Sequence, residues 1–324
     1  MAGAAALALT LTACGESPSA HPADDTLRLN QLQLKATHNS YRPGQLDNPL
    51  VDWRYDHPPL EVQLEEQGVR GLELDLVYDA ELDRYRIEHI PELDAETHCP
   101  FLSDCLEDVR RFSERHPGHH PIFIQVEPRG SFDEDTDARI ALFEREVRAI
   151  FDESQLITPD SVRGDAPTLS AALEERGWPT LGETRGKIFI YLDSKREISI
   201  AYAGEGGTLE GKVAFPSSRA DDPFAGFMVI NEVRDERAIE ALRAGFLVRV
   251  RAEDLRELFI EGVDRAEAAL RTGGQIISTD FPVRREELDY FFSIPGGTPS
   301  RCNPITAPKE CESEWIEDPA RLGN

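Results

Sequence analysis

Short apolar runs alternate along this chain with stretches in which apolar residues recur every three or four positions, the two periods that separate strands from helices. The runs are 31–37 (QLQLKAT), 69–77 (VRGLELDLV), 121–127 (PIFIQVE), 187–192 (KIFIYL), 226–230 (GFMVI), 246–250 (FLVRV) and 275–279 (QIIST). Helical spacing is plainest in 138–151, with Ile140, Phe143, Val147, Ile150 and Phe151, and in 253–271, with Leu255, Leu258, Phe259, Val263, Ala266 and Leu270. Shorter helices fit 59–67, 105–115, 168–176 and 235–244. Strand followed by helix, repeated, predicts parallel strands joined by crossover helices. The pattern gives seven strands, and an irregular eighth is expected within 197–214. No linker or break in composition divides the body. The expected architecture is therefore α/β: one TIM-type (β/α)8-like barrel with some irregularity, over residues 27–324.

Active sites of such barrels lie at the C-terminal strand ends. The first strand ends in His38-Asn39, an imidazole beside a carboxamide where glycine or proline would end a strand more simply. The second contains LELDL, and alternation sends Glu73 and Asp75 to one face and Leu72, Leu74 and Leu76 to the other. With the leucines facing the helices, both carboxylates point inward near the mouth. The third strand ends in Glu127, and the last in Thr279-Asp280. Asn39, Glu73, Asp75 and Glu127 then converge as hard oxygen donors, a set suited to Ca2+ or Mg2+ and not to zinc. The competing reading is a set of salt bridges to Arg70, Arg129, Arg249 or Arg251. His89, just after the second strand, joins His38 as a candidate acid–base pair beside the cation, with His98 in reserve. His57, before two prolines, reads as structural. His116, His119 and His120 precede the third strand, at the far end of the barrel, and read as solvated.

The net charge of −26 excludes a nucleic-acid binder held by bulk electrostatics and removes long-range attraction to anionic membranes. No apolar span in the mature body is long enough to cross a bilayer. The N-terminal apolar run ends in Leu11-Thr12-Ala13-Cys14, which resembles a lipoprotein lipobox. Residues 1–14 are expected to be a signal with a lipidated Cys14, and 15–26 a flexible tether, making the protein an exported envelope lipoprotein or a secreted one. The other cysteines fall into two local pairs, which suggests disulfides Cys99–Cys105 and Cys302–Cys311 in an oxidising compartment. A zinc site of four thiolates is the rival, though the spacings are not of the CxxC type.

Taken together, KATHNSY, YDHPPLEVQLEEQGVRGLELDL, EHIPELDAETHC, IFIQVEP, GGQIISTDFP and RCNPITAPKEC resemble the phosphatidylinositol-specific phospholipase C superfamily, and most closely its bacterial Ca2+-dependent branch. The resemblance implies a TIM-like barrel, catalytic His38 and His89, and a Ca2+ held by Asn39, Glu73, Asp75 and Glu127. It implies a phospholipid substrate at a membrane surface, cleaved to an inositol cyclic phosphate and diacylglycerol, by a chain expected to be a monomer. A lysine expected soon after Glu127 is replaced by Pro128-Arg129, so Arg129 is the candidate for its charge. Arg251, Asp280 and Tyr41 complete the expected substrate contacts. The rivals are a glycerophosphodiester phosphodiesterase, and an inactive lipid-anchored binding protein of the same fold.

Overall fold

The computed structural model describes residues 21–317. The signal and Cys14 lie outside the described residues. The expected strands appear as β1 (Leu32–Thr37), β2 (Gly71–Asp79), β4 (Ile122–Glu127), β5 (Ile188–Leu192), β7 (Phe227–Val229), β8 (Leu247–Arg251) and β9 (Ile276–Thr279). Three further strands are β3 (Arg84–Ile87), β6 (Ala214–Pro216) and β10 (Ser300–Cys302). Eight parallel strands run in the order β6-β5-β4-β2-β1-β9-β8-β7, and β3 and β10 add antiparallel pairs to β2 and β1. This is a nearly closed barrel, with an unsealed seam between β6 and β7, in a single domain.

Side chains bridge the seam in place of a backbone ladder. Ser218 donates to the Phe227 carbonyl through both its N–H (2.9 Å) and its hydroxyl (2.8 Å), and the Ser217 hydroxyl accepts from Val229 N–H (3.1 Å). Inside, Tyr191 of β5 stacks on Phe227 of β7 (4.2 Å), beside the Phe189–Phe215 stack of β5 and β6 (4.3 Å), so aromatic contact reaches across the gap. On the opposite side, β1 and β2 pair only at Ala36–Gly71, and β10 occupies the lower half of β1. A Cβ at position 71 would lie 2.5 Å from the Ala36 Cβ, so glycine permits this approach.

The helices are α1 (Leu60–Glu66), α2 (Leu102–Arg115), α3 (Thr136–Ile150), α4 (Pro159–Arg163), α5 (Leu169–Arg176), α6 (Leu181–Thr184), α7 (Arg196–Ala203), α8 (Glu236–Arg243) and α9 (Ala266–Thr272). None is long and apolar enough to cross a membrane. Two expectations fail here. Residues 197–214 hold α7 rather than a strand, and β6 begins only at Ala214. The helix expected over 253–271 breaks, because Gly262 adopts φ +69 and ends the first helical turns before α9 starts.

The lower end is closed by charge. Arg70 donates to Glu317 (Nε–Oε1 2.8 Å), and both side chains are buried. His120 N–H donates to the same carboxylate (2.9 Å), and His119 donates through Nδ1 to the His120 carbonyl (2.6 Å). His119 and His120 are therefore not solvated but fully buried, enclosed by the C-terminal segment. His116 meets Glu65 (2.8 Å). Residues 21–26 are likewise packed instead of forming a tether: Ala23 is buried against Leu181 and Ile316, and Asp24 pairs with Arg185 (3.0 Å). Disulfides join Cys99 to Cys105 and Cys302 to Cys311, as the local spacing suggested.

Candidate active site

At the upper mouth, the period-2 alternation of β2 and its register with β4, Asp75 opposite Glu127, place three carboxylates together. One oxygen from each of Glu73, Asp75 and Glu127 lies within 4.8 Å of the others. Burial and the neighbouring Glu127 and Glu73 push Asp75 well above the usual carboxylate range. Burial likewise raises Glu73 to about 7, against the pull of Arg249. Arg249 holds one Glu73 oxygen (2.8 Å), while Arg129 donates to Glu127 (3.0 Å) and approaches Asp75 (3.6 Å). Both Asp75 oxygens are buried with no hydrogen-bond partner.

Asn39 completes the rim of this cluster, at φ +45, a conformation asparagine tolerates. Its amide donates to the Tyr55 hydroxyl (2.6 Å), and its oxygen accepts only a long hydrogen bond from the Tyr41 hydroxyl (3.5 Å). The donor set is all hard oxygen, the group is crowded and buried, and Asp75 is unsatisfied. These features fit a divalent cation such as Ca2+. The salt-bridge alternative is only partly realised, since Arg70 binds Glu317 at the other end and Arg251 binds Asp280.

His38 lies beside this cluster and is partly exposed, with Nε2 4.0 Å from a Glu73 oxygen. Its Nδ1 donates to Asp280 (2.8 Å), whose second oxygen accepts from Arg251 (2.8 Å). Burial and Arg251 lower His38 to about 3 against the attraction of Asp280, so its neutral form prevails. Burial would raise Asp280, but His38 and Arg251 outweigh it and hold it at about 2.

A hairpin delivers the second histidine. β2 runs beyond the barrel mouth to Asp79, and β3 returns antiparallel with Ile87 opposite Leu76, so the chain heads back toward the mouth and His89 follows two residues after β3. His89 Nδ1 donates to Asp94 (2.8 Å), which also accepts from Arg42 Nε (2.7 Å), and the Trp53 ring meets the imidazole edge-on. Burial would raise Asp94, but these two hydrogen bonds keep it below its ordinary value. Both histidines therefore carry an aspartate on Nδ1 and, among the described residues, make no hydrogen bond through Nε2.

The remaining histidines brace the backbone. His57 Nε2 donates to the His38 carbonyl (2.9 Å), and His98 Nε2 donates to the His57 carbonyl (2.8 Å). His98 is thereby committed and does not serve as a reserve acid. Two expected substrate contacts also move. Tyr41 is fully buried beside Asp75, and Asp280 is buried as the partner of His38. Arg129 and Arg251 remain partly exposed. A cavity of about 560 Å3 opens beside Glu127 and Arg129, reaching Asp193 and Lys195. Asp94, Arg42 and Tyr55 escaped the sequence reading. Asp193, which directly follows β5, could have been found by the strand-end rule.

A family profile described as "Phosphoinositide phospholipase C, Ca2+-dependent" matches residues 83–304. No curated protein sequence matches the chain. Among solved structures, a calcium-dependent phosphoinositol-specific phospholipase C from a Pseudomonas species is similar, at TM-score 0.64 and 20% identity, covering 89% of this chain and 100% of that one. A Ca2+-dependent phosphatidylinositol-specific phospholipase C from Streptomyces antibioticus aligns at TM-score 0.62 and 19% identity, over 79% of this chain and 96% of the other. At these identities the structural likeness speaks for the fold, and the family profile speaks for the family.

Proposed function

The chain belongs to the Ca2+-dependent phosphoinositide phospholipase C family, whose members act on phospholipid phosphodiesters, and we propose that it cleaves phosphatidylinositol with His38 and His89 as base and acid. The observation that carries this reading is a pair of aspartate-anchored imidazoles, His38 beside an unsatisfied carboxylate cluster and His89 just past the hairpin that leaves the cluster's own strand.

With Nδ1–H donated to Asp280, His38 presents a lone pair at Nε2, which accepts the proton of the inositol 2-hydroxyl. The hydroxyl oxygen bonds to phosphorus as the bond from phosphorus to the glycerol oxygen breaks. His89 protonates that departing oxygen, and Asp94, held by Arg42, orients the imidazole through Nδ1. The products are inositol 1,2-cyclic phosphate and diacylglycerol. Asn39, Glu73, Asp75 and Glu127 would hold Ca2+, which when bound offsets the negative charge gathering on the phosphate. Arg129 and Arg251 supply further positive charge at the mouth.

Calorimetric Ca2+ titration and turnover of a short-chain phosphatidylinositol test this together. Losing even an outer partner of a metal ligand costs about 10–100-fold. Asp75→Asn should therefore weaken Ca2+ binding by at least about 100-fold, and turnover should fall with it. Wild-type affinity in Asp75→Asn would remove the cluster from the account. Faster cleavage of a soluble glycerophosphodiester than of the lipid would point to the rival phosphodiesterase.

A further inference from the structure

The outer face of β1 holds a buried cation with no anion to meet it. Alternation puts Gln33, Lys35 and Thr37 on one side of the strand. Thr37 bonds to Gln63 of α1 (2.7 Å), so this side faces out of the barrel, away from the carboxylate cluster. Lys35 is only 8% exposed. Among the described residues its amine donates to one acceptor, the Pro282 carbonyl (2.8 Å), and no carboxylate pairs with it. Two of its three N–H groups therefore lack a protein acceptor.

The charges around Lys35 give it no relief. Arg70, just before β2, is a second cation, and Glu317 already pairs with it. On α1, Glu65 meets His116 (2.8 Å) and Arg115 (3.5 Å), and Glu66 is exposed. Arg284, after β9, lies over the Phe291 ring (5.9 Å) and makes no ion pair among the described residues. Burial, and then Arg70, lower Lys35 to about 8, so at neutral pH most of the amine still carries its charge. A buried charge without a partner is costly unless something from outside pairs with it.

Lys35 stands in a cavity of about 380 Å3, between α1 and the segment that follows β9. That is the size of a small-molecule pocket. Leu64, Val283, Phe291 and Ile294 form much of its wall. One buried ammonium among apolar walls matches one carboxylate. Inorganic phosphate would bring further charge and oxygens, and the other buried cation, Arg70, is already paired. We propose that this cavity binds a small monocarboxylate with an apolar body: the carboxylate accepts from Lys35 Nζ, and the body lies against Phe291 and Ile294. The site lies outside the barrel mouth and does not depend on the phospholipase reading.

Calorimetric titration of the full chain with benzoate at neutral pH tests this. Benzoate should bind once per chain, and benzyl alcohol and inorganic phosphate each at least about tenfold more weakly. Lys35→Met keeps the length of the side chain and removes its charge, and should weaken benzoate at least about tenfold. Phe291→Ala, at an exposed position, should weaken it several-fold. A carboxylate beside the amine favours its charged form. Wild type titrated at pH 8, in buffers of different ionisation enthalpy, should therefore take up about half a proton per benzoate, and affinity should fall as pH rises further. No benzoate binding, equal benzoate binding by either variant, equal binding of benzyl alcohol or phosphate, or binding at pH 8 without proton uptake would each overturn the proposal. The proton count needs only wild type, so it decides the matter even where Lys35→Met fails to fold.

Discussion

His38 and His89 share one local design, an aspartate on Nδ1 and, among the described residues, no hydrogen bond at Nε2, and the leaving group distinguishes the base and acid roles proposed for them. A diacylglycerol alkoxide needs a proton as its bond breaks, whereas a nitrophenolate leaves unaided. General acid catalysis contributes about 10²–10⁴-fold, or roughly 3–5 kcal/mol. His89→Ala should therefore lose most activity on phosphatidylinositol and regain much of it on an inositol nitrophenyl phosphodiester, measured as kcat/KM. His38→Ala should stay slow on both, because the 2-hydroxyl must lose its proton either way. Equal losses on both substrates in His89→Ala would remove it as the acid. At this scale the sequence was most readable where the strand period decides direction. Glu73 and Asp75 follow from alternation, and His38, Asn39 and Glu127 from strand ends. Asp94 and Arg42 were not readable, since their meeting depends on how two loops fold over the mouth. Tyr41 and Asp280, expected as substrate contacts, are both buried, because spacing does not reveal burial.

Among elements, the barrel strands were legible and the connections less so. Strands buried on both faces read as apolar runs whatever their neighbours do. The connection from β6 to β7 carries no helix, and serine hydroxyls with the Tyr191–Phe227 stack take the place of a ladder there, an arrangement with no periodic signature. The break before α9 turns on one residue, Gly262, inside a stretch whose apolar spacing continues. Gly71 gives a prediction at this level. It is the sole register pair between β1 and β2, and an added methyl would collide with Ala36. Overpacking of this kind costs about 1–3 kcal/mol. Gly71→Ala should lower the urea midpoint correspondingly with little change in slope, and an unaltered midpoint would mean the strands part there freely.

Across the whole molecule, the mouth and the floor of the barrel use buried charge differently. The mouth leaves Asp75 unsatisfied, whereas at the floor Arg70 and the His120 N–H neutralise and cap Glu317. The histidines there were read as solvated because polarity alone gave no sign that the C-terminal segment returns over them. Burial pushes His119 down to about 4 and His120 to about 3. Burial would raise Glu317, but Arg70 and His120 hold it at about 2. Below pH 6.5 the unfolded histidines take up protons that the folded ones refuse, so stability falls as pH drops from about 6.5 toward 4 and 3. Glu317 adds a further loss between its ordinary value near 4.5 and about 2. Each histidine contributes up to about 1.4 kcal/mol per pH unit in its window. Acid also relieves the self-repulsion of a chain at −26, so the informative readout is a difference. Urea unfolding at pH 7.5 and 5.5 should show a smaller loss in His120→Asn than in wild type. Identical pH dependence would mean His120 is charged in the folded protein.

The most direct test of the account is phosphorus NMR of the first soluble product from short-chain phosphatidylinositol, with Ca2+ present and with it chelated. Inositol 1,2-cyclic phosphate should be the first product with Ca2+ and should be lost on chelation. A first product of open-chain inositol monophosphate, or cyclic product formed equally well under chelation, would contradict it.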